Sequence, residues 1–211
     1  MDILFPGYKN CNERFELAVS PASPSSIYAI GNDTIMVKAP PDTVYKEEQR
    51  VKVWKSDNNG QTWVNVLDTS NSSLGNGINY WRMELLVSPT DTGVIYIGGL
   101  TMARLRHWDM NSKLVTEANY NNYHFDTRDA VIIHGSDPAA QGGNDIIFAG
   151  NDGGISKTIN GSQTWMNING DGLDINQFWG IGSSNNNSDW IGGGTGIKMI
   201  KTKMVSNFNC L

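Results

Sequence analysis

Residues 56–63 read SDNNGQTW and residues 158–165 read TINGSQTW. Each stretch sets Ser or Thr two residues before Asn and closes on Gln-Thr-Trp, and each lies between two short apolar runs. KVWKS (52–56) leads into the first and TWVNVL leaves it; GGISKT (153–158) and TWMNIN flank the second. Such a stretch reads as a hairpin turn between two strands. Gly60 can take a positive φ there, and the Ser, Asn and Thr side chains can satisfy backbone groups that the turn leaves unpaired. Trp63 then starts the outgoing strand.

Working outward from these turns, the chain repeats itself. RFELAVSPASPSSIYAIG (Arg14 to Gly31) aligns without a gap on RMELLVSPTDTGVIYIGG (Arg82 to Gly99). A looser third copy runs from Arg128 through AVIIHGSDPAAQGGNDIIFAG, and a fourth starts near Phe178 with FWGIGSSNNNSDWIGGG. Each copy reads as an apolar strand, a polar turn and a second short strand ending at Gly. In the first and third copies the quoted turn adds a third and a fourth strand. Four antiparallel strands form one sheet that cannot bury its own two faces, so the expectation is an all-β chain of four consecutive blades of a β-propeller, at about residues 14–68, 82–120, 128–170 and 178–211. The second copy departs from the pattern: after IYIGG comes LTMARLRHWDMNSKLV, where Trp108, Asp109 and Asn111 stand in no turn-like order.

SDNNGQTW resembles the Asp-box, or BNR repeat, with pattern Ser/Thr-x-Asp-x-Gly-x-Thr-Trp. The matching positions are Ser56, Asn58, Gly60, Thr62 and Trp63, with Asn58 where the family has Asp. In the second box they are Thr158, Asn160, Ser162, Thr164 and Trp165, with Asn at the Asp position and Ser at the Gly position. LAVSP…IYAIG and HFDTRDAVI are similar to the segments between boxes in large secreted Asp-box propellers, among them sortilin-like proteins and xyloglucanase-type glycoside hydrolases. The resemblance implies a propeller of a secreted or cell-envelope protein, and because such propellers usually have more than four blades it implies further blades beyond this chain. Asp-boxes occur in enzymes and binding proteins alike, so fold and function are separate questions.

Composition narrows the second question. The chain has 211 residues, 39% of them apolar and 18% charged, with 23 glycines, which suits a turn-rich β protein with a sizeable core. A net charge of -5 and the lack of any Lys/Arg cluster argue against a nucleic-acid partner. No apolar run approaches the roughly 18 residues of a membrane span, and MDILFPGYKN has neither the basic nor the apolar region of a secretory signal. Cys11 and Cys210 read as free thiols unless the chain ends meet, and the sequons at Asn32, Asn71, Asn160 and Asn186 are what Asn-rich turns produce.

The densest polar cluster is His124-Phe125-Asp126-Thr127-Arg128-Asp129, just before the third copy's first strand. The start of a blade's innermost strand borders the central channel, so His124, Asp126 and Arg128, at alternating positions, are the expected binding residues. Asp152 in GNDGGI is the other attractive carboxylate, and with Asp126 it is a candidate catalytic pair, since glycoside hydrolysis needs two carboxyl groups about 5 to 9.5 Å apart. Against that, Arg14, Arg82 and Arg128 recur at one place in the repeat, as expected of arginines that pair with neighbouring carboxylates, and Asp152-Gly153-Gly154 also reads as a tight turn. A sialidase is not expected, for lack of the arginine cluster and tyrosine nucleophile. Trp54, Trp63 and Trp165 belong to strands and boxes; Trp81, Trp108, Trp179 and Trp190 lie outside them, and Trp179 and Trp190 are the candidates for stacking on sugar rings. His107, His124 and His134 are too irregularly spaced for a metal site, and no cofactor is implied. The expected function is recognition of a protein or glycan, the alternative a glycoside hydrolase of xyloglucanase type.

Overall fold

The computed structural model describes residues 14–39, 44–70, 77–79, 81–106, 123–135, 144–169, 180–184, 187–194 and 199–203. Every regular element among them is a β-strand, and all strand pairs are antiparallel. The first sheet is β1 (Phe15–Ser20), β2 (Ser23–Ala39), β3 (Val44–Ser56) and β4 (Val64–Ser70), in that order. The second is β5 (Glu84–Val87), β6 (Val94–Gly98) and β7 (Met102–Arg106). The third is β8 (Asp129–Ile133), β9 (Ile146–Asn151), β10 (Gly154–Thr158) and β11 (Met166–Asn167). Residues up to Asn169 form one compact unit. The second unit, from Gly170, contains the sheet β12 (Gly180–Ser184), β13 (Asn187–Gly194) and β14 (Met199–Lys203).

Each sequence copy thus yields one sheet whose strands follow one another in space as in sequence. The first hairpin is longer than the repeat suggests. Beyond Gly31, β2 continues to Ala39 and pairs residue by residue with β3, down to Ala39 opposite Val44. The Val, Ile, Thr and Tyr content of 34–53 favours this extension, and only the period of the repeat argued against it. Trp108, Asp109 and Asn111 of the second copy, and both cysteines, lie outside the described residues.

The two quoted turns fold alike. In the first, Asn59 and Gly60 have φ of 56° and 82°; in the second, Gly161 and Ser162 have 62° and 70°. Asn58 Oδ1 accepts from the Ser56 hydroxyl at 2.9 Å and from the Thr62 amide at 2.9 Å, while its Nδ2 donates to Thr62 Oγ1 at 2.8 Å. Asn160 repeats all three contacts with Thr158 and Thr164, at 3.0, 2.9 and 2.9 Å. An asparagine suits this place because it offers an acceptor to a backbone N–H and a donor to a hydroxyl at once. The tryptophans differ: Trp63 Nε1 donates to the Gly60 carbonyl at 3.0 Å, and Trp165 Nε1 to the Ser162 hydroxyl at 3.2 Å. Each turn is also tied to the start of its sheet's second strand, through Asn59 N to Ser25 O at 3.1 Å and Gly161 N to Asp145 O at 2.9 Å.

Alternation sorts the side chains of the second sheet onto two apolar faces. Leu85, Val87, Ile95, Ile97, Ala103 and Leu105 form one core with Tyr28, Ile30, Val51 and Val53 of the first sheet. Leu86, Val94, Tyr96 and Met102 form another with Ala130, Ile147, Ala149 and Trp165 of the third. At about 1.5–3 kcal/mol for each large apolar side chain removed from water, these two interfaces are the main stabilising contribution to the unit.

The first and second sheets each turn toward the next a face that carries an aromatic residue opposite a cation, Tyr28 opposite Lys55 and Tyr96 opposite Arg104 across the second and third strands, and Phe148 opposite Lys157 repeats the pair within the third sheet. The tyrosines reach the next sheet, Tyr28 donating to the Thr92 carbonyl at 2.5 Å and Tyr96 to Asp145 Oδ2 at 2.8 Å. Arg104, fully buried, donates to the Gly161 carbonyl at 2.8 Å, inside the second quoted turn. Burial raises the pKa of the Asp145 carboxyl, and the Tyr96 hydroxyl works against that rise. Tyr96→Phe strips a donor from a fully buried carboxyl and should cost about 2–3 kcal/mol, whereas Tyr28→Phe removes a bond to a carbonyl and should cost about 1 kcal/mol. Urea unfolding measures both; equal costs would contradict the unequal roles assigned to the two hydroxyls.

Candidate functional site

The first strands of successive sheets are neighbours, β5 lying beside β1 on one side and β8 on the other. An arginine stands just ahead of each: Arg14, Arg82 and Arg128. All three form ion pairs. Arg14 pairs with Glu16 and Arg82 with Asp126. Arg128 grips Asp152 in a two-point contact, Nε to Oδ1 at 3.0 Å and Nη2 to Oδ2 at 3.2 Å. The hydrogen bond from Asp152 is the largest influence on Arg128 and raises its pKa above the usual guanidinium value.

Residues 123–128 are not part of a strand, since β8 begins at Asp129. The alternation expected for His124, Asp126 and Arg128 therefore does not apply. Asp126 instead has φ of 69°, in the left-handed region, and its amide donates to the Leu100 carbonyl at 2.9 Å. The Thr127 amide donates to the Gly99 carbonyl at 2.9 Å, and the Thr127 hydroxyl meets Tyr123 Oη at 2.5 Å. This bend sends Asp126 toward Arg82 and leaves Arg128 beside Asp152. His124 lies against the two-residue turn Asp152-Gly153 that joins β9 to β10; a Cβ on Gly153 would come within 2.4 Å of its ring. The sequence-predicted residues thus fall into two groups, one of His124, Arg128 and Asp152, the other of Asp126 with Arg82.

Glu84 belongs to the same end of the unit. It stands on β5 opposite Gly98, where a Cβ would meet the Thr127 methyl at 2.8 Å. Desolvation, with repulsion from Asp129 and Glu16 and partial relief from Arg14, pushes its pKa up to about 7. Sequence reasoning passed over this residue, although Arg-x-Glu recurs as Arg14-Phe15-Glu16 and Arg82-Met83-Glu84. It also passed over the setting of Trp81, which sits at the tip of a turn closed by Asn79 and Arg82 and is 71% exposed.

Of the proposed stacking residues, Trp179 lies outside the described residues, and Trp190 is on β13 opposite Lys203 with its side chain outside them. Among the described residues no group of three or more His, Cys, Asp or Glu could hold a metal ion, and no helix is long and apolar enough to cross a membrane. No protein-family model matches the chain, and no curated protein matches its sequence.

The raised carboxyl gives a pH prediction. Glu84 ionises near 4.5 when unfolded and near 7 when folded, so the folded protein holds the extra proton across that window. Stability should fall as pH rises from about 4.5 to about 7 and level off above. Glu84→Gln should flatten that part of the curve and raise the melting temperature at pH 8. A variant whose melting temperature follows the wild-type pH dependence would show that Glu84 is not the group responsible.

Proposed function

We propose that this chain is a run of Asp-box β-propeller blades, and that it serves as a non-catalytic recognition or scaffold module of a secreted or cell-envelope protein, binding a protein or a glycan. Three features support the propeller reading. Successive sheets of the first unit stack the leading face of one on the trailing face of the next, their first strands lie side by side, and no strand is exchanged between them. Radial packing about an axis has these properties. The two left-handed turns with their Asn-centred hydrogen bonds support the Asp-box resemblance, which in turn supports the extracellular setting.

The observation that carries the functional reading is the engagement of both candidate catalytic carboxylates by arginine: Asp126 by Arg82, and Asp152 by Arg128 at two points. A carboxylate whose lone pairs are committed to a guanidinium must break that pair before it can accept or deliver a proton. The recurrence of the arginine at the head of three sheets fits a structural pairing better than a reaction centre. What remains at this end is a surface of fixed ion pairs, suited to orienting a ligand.

One observation favours the second reading, a glycoside hydrolase of xyloglucanase type. Burial, with repulsion from Asp129, pushes the Glu84 pKa up to about 7, the range in which a carboxyl can act as the proton donor of glycoside hydrolysis. Release of reducing sugar from a panel of β-glucans and other polysaccharides separates the readings. The recognition reading predicts binding without turnover; hydrolysis abolished by Glu84→Gln, Asp126→Asn or Asp152→Asn would overturn it.

A further inference from the structure

We infer that Lys52 and Asp33 condense to an isopeptide bond between β2 and β3, with Asp68 as the proton acceptor. Gly31 stands opposite Lys52, so Asp33 is the diagonal neighbour of Lys52 on the same face of the sheet. Lys52 Nζ donates to Asp33 Oδ2 at 2.7 Å, and the two side chains are only 7% and 1% exposed. That contact sets the nitrogen about 3.5 Å from the carboxyl carbon, the separation from which a nucleophile attacks. Asp68, opposite Lys52 on β4, is the third group: its Oδ2 is 3.9 Å from Nζ, while its Oδ1 accepts from Arg50 Nε at 2.7 Å. The Asp68 side chain is 43% exposed, so it joins the buried pair to solvent.

An ion pair held out of water is a costly ground state unless its remaining lone pairs are satisfied. Here they are not: Asp33 Oδ1 is buried, and none of the described residues donates to it. Condensation removes both charges. The Asp68 carboxylate takes one proton from the Lys52 ammonium, and the freed amine attacks the Asp33 carboxyl carbon. The bond from that carbon to Oδ2 then breaks, and the oxygen leaves as water with the proton held by Asp68 and a second proton from the attacking nitrogen. A neutral amide remains, and no oxidant or cofactor is consumed.

The place of the pair gives the bond a mechanical purpose. Pairing with β1 ends at Phe15 opposite Gly31, and pairing with β4 ends at Ser70 opposite Arg50. From Thr34 to Ala39, β2 and β3 pair only with each other among the described residues. A two-stranded ribbon is marginally stable alone, and a covalent tie at its base keeps its strands from parting.

Intact-mass spectrometry of the folded chain tests the inference. The wild type is expected to fall short of its sequence mass by one water, and its tryptic digest to contain a branched peptide joining the segments that carry Asp33 and Lys52. Lys52→Arg, which keeps the charge without the nucleophile, and Asp33→Ala should both show the full mass. In polypeptide recovered unfolded and then folded, Asp68→Asn should slow formation of the bond by about tenfold or more, and Asp68→Glu should restore it. A wild type of full mass overturns the bond, as does a deficit that survives Lys52→Arg or comes without the branched peptide. Formation at the wild-type rate in Asp68→Asn overturns the role of Asp68.

Discussion

Burying both faces of the β5–β7 sheet is the constraint on which the neighbouring sheets depend. Alternation along β6 sends Ile95 and Ile97 to one side and Val94 and Tyr96 to the other, all with no exposure. A short sheet that is apolar on both faces has no stable existence alone, so the first and third sheets are required as its walls. Polar contacts then fix how the walls sit. Ser20 donates to the Ser88 carbonyl at 2.6 Å and Tyr28 to that of Thr92, while Tyr96 and Arg104 reach Asp145 and Gly161 of the third sheet. Hydrophobic burial makes the sheets stack, and these directional bonds set their register.

The quoted turns belong to this scheme because they are where sheets are fastened as well as where strands reverse. The second turn is bonded within itself by Asn160, to its own second strand through Asp145, and to the preceding sheet through Arg104. A turn with so many obligations tolerates few sequences, which is why the pattern survives in two copies whose strands have diverged. Ser162 illustrates the limit: it accepts a φ of 70°, a conformation that favours glycine, and its hydroxyl receives the Trp165 indole.

Local signals made the turns, the hairpins and their grouping into sheets legible, since each rests on residues close in sequence. The extension of β2 and β3 past Gly31 was hidden because the repeat supplied a false end; the apolar and β-branched residues 34–37, with Val44 and Tyr45 on the partner strand, were the better guide. The candidate site was legible in composition and not in geometry. His124, Asp126 and Arg128 are at the same end of the unit, but a left-handed residue at Asp126 separates them into two groups, and nothing in HFDTRD announces that φ. Pairing of Arg82 with Asp126, 44 residues on, follows only from the stacking of sheets. The environment of Glu84 is likewise long-range: its neighbours Glu16 and Asp129 come from the first strands of the flanking sheets.

Fold and site are therefore linked through one structural element. The sheet that supplies the dry centre also supplies Glu84 and is headed by the arginine that holds Asp126. Native-state hydrogen exchange, resolved residue by residue, tests the central role of that sheet most directly. If β5–β7 is the core on which the others are built, the amides of Ile95, Tyr96 and Ile97 should exchange only through global unfolding, and more slowly than those of β1 and β8, whose Leu17, Val19, Val131 and Ile133 are exposed on the far faces. Exchange of the β6 amides as fast as that of β1 or β8 would contradict the account.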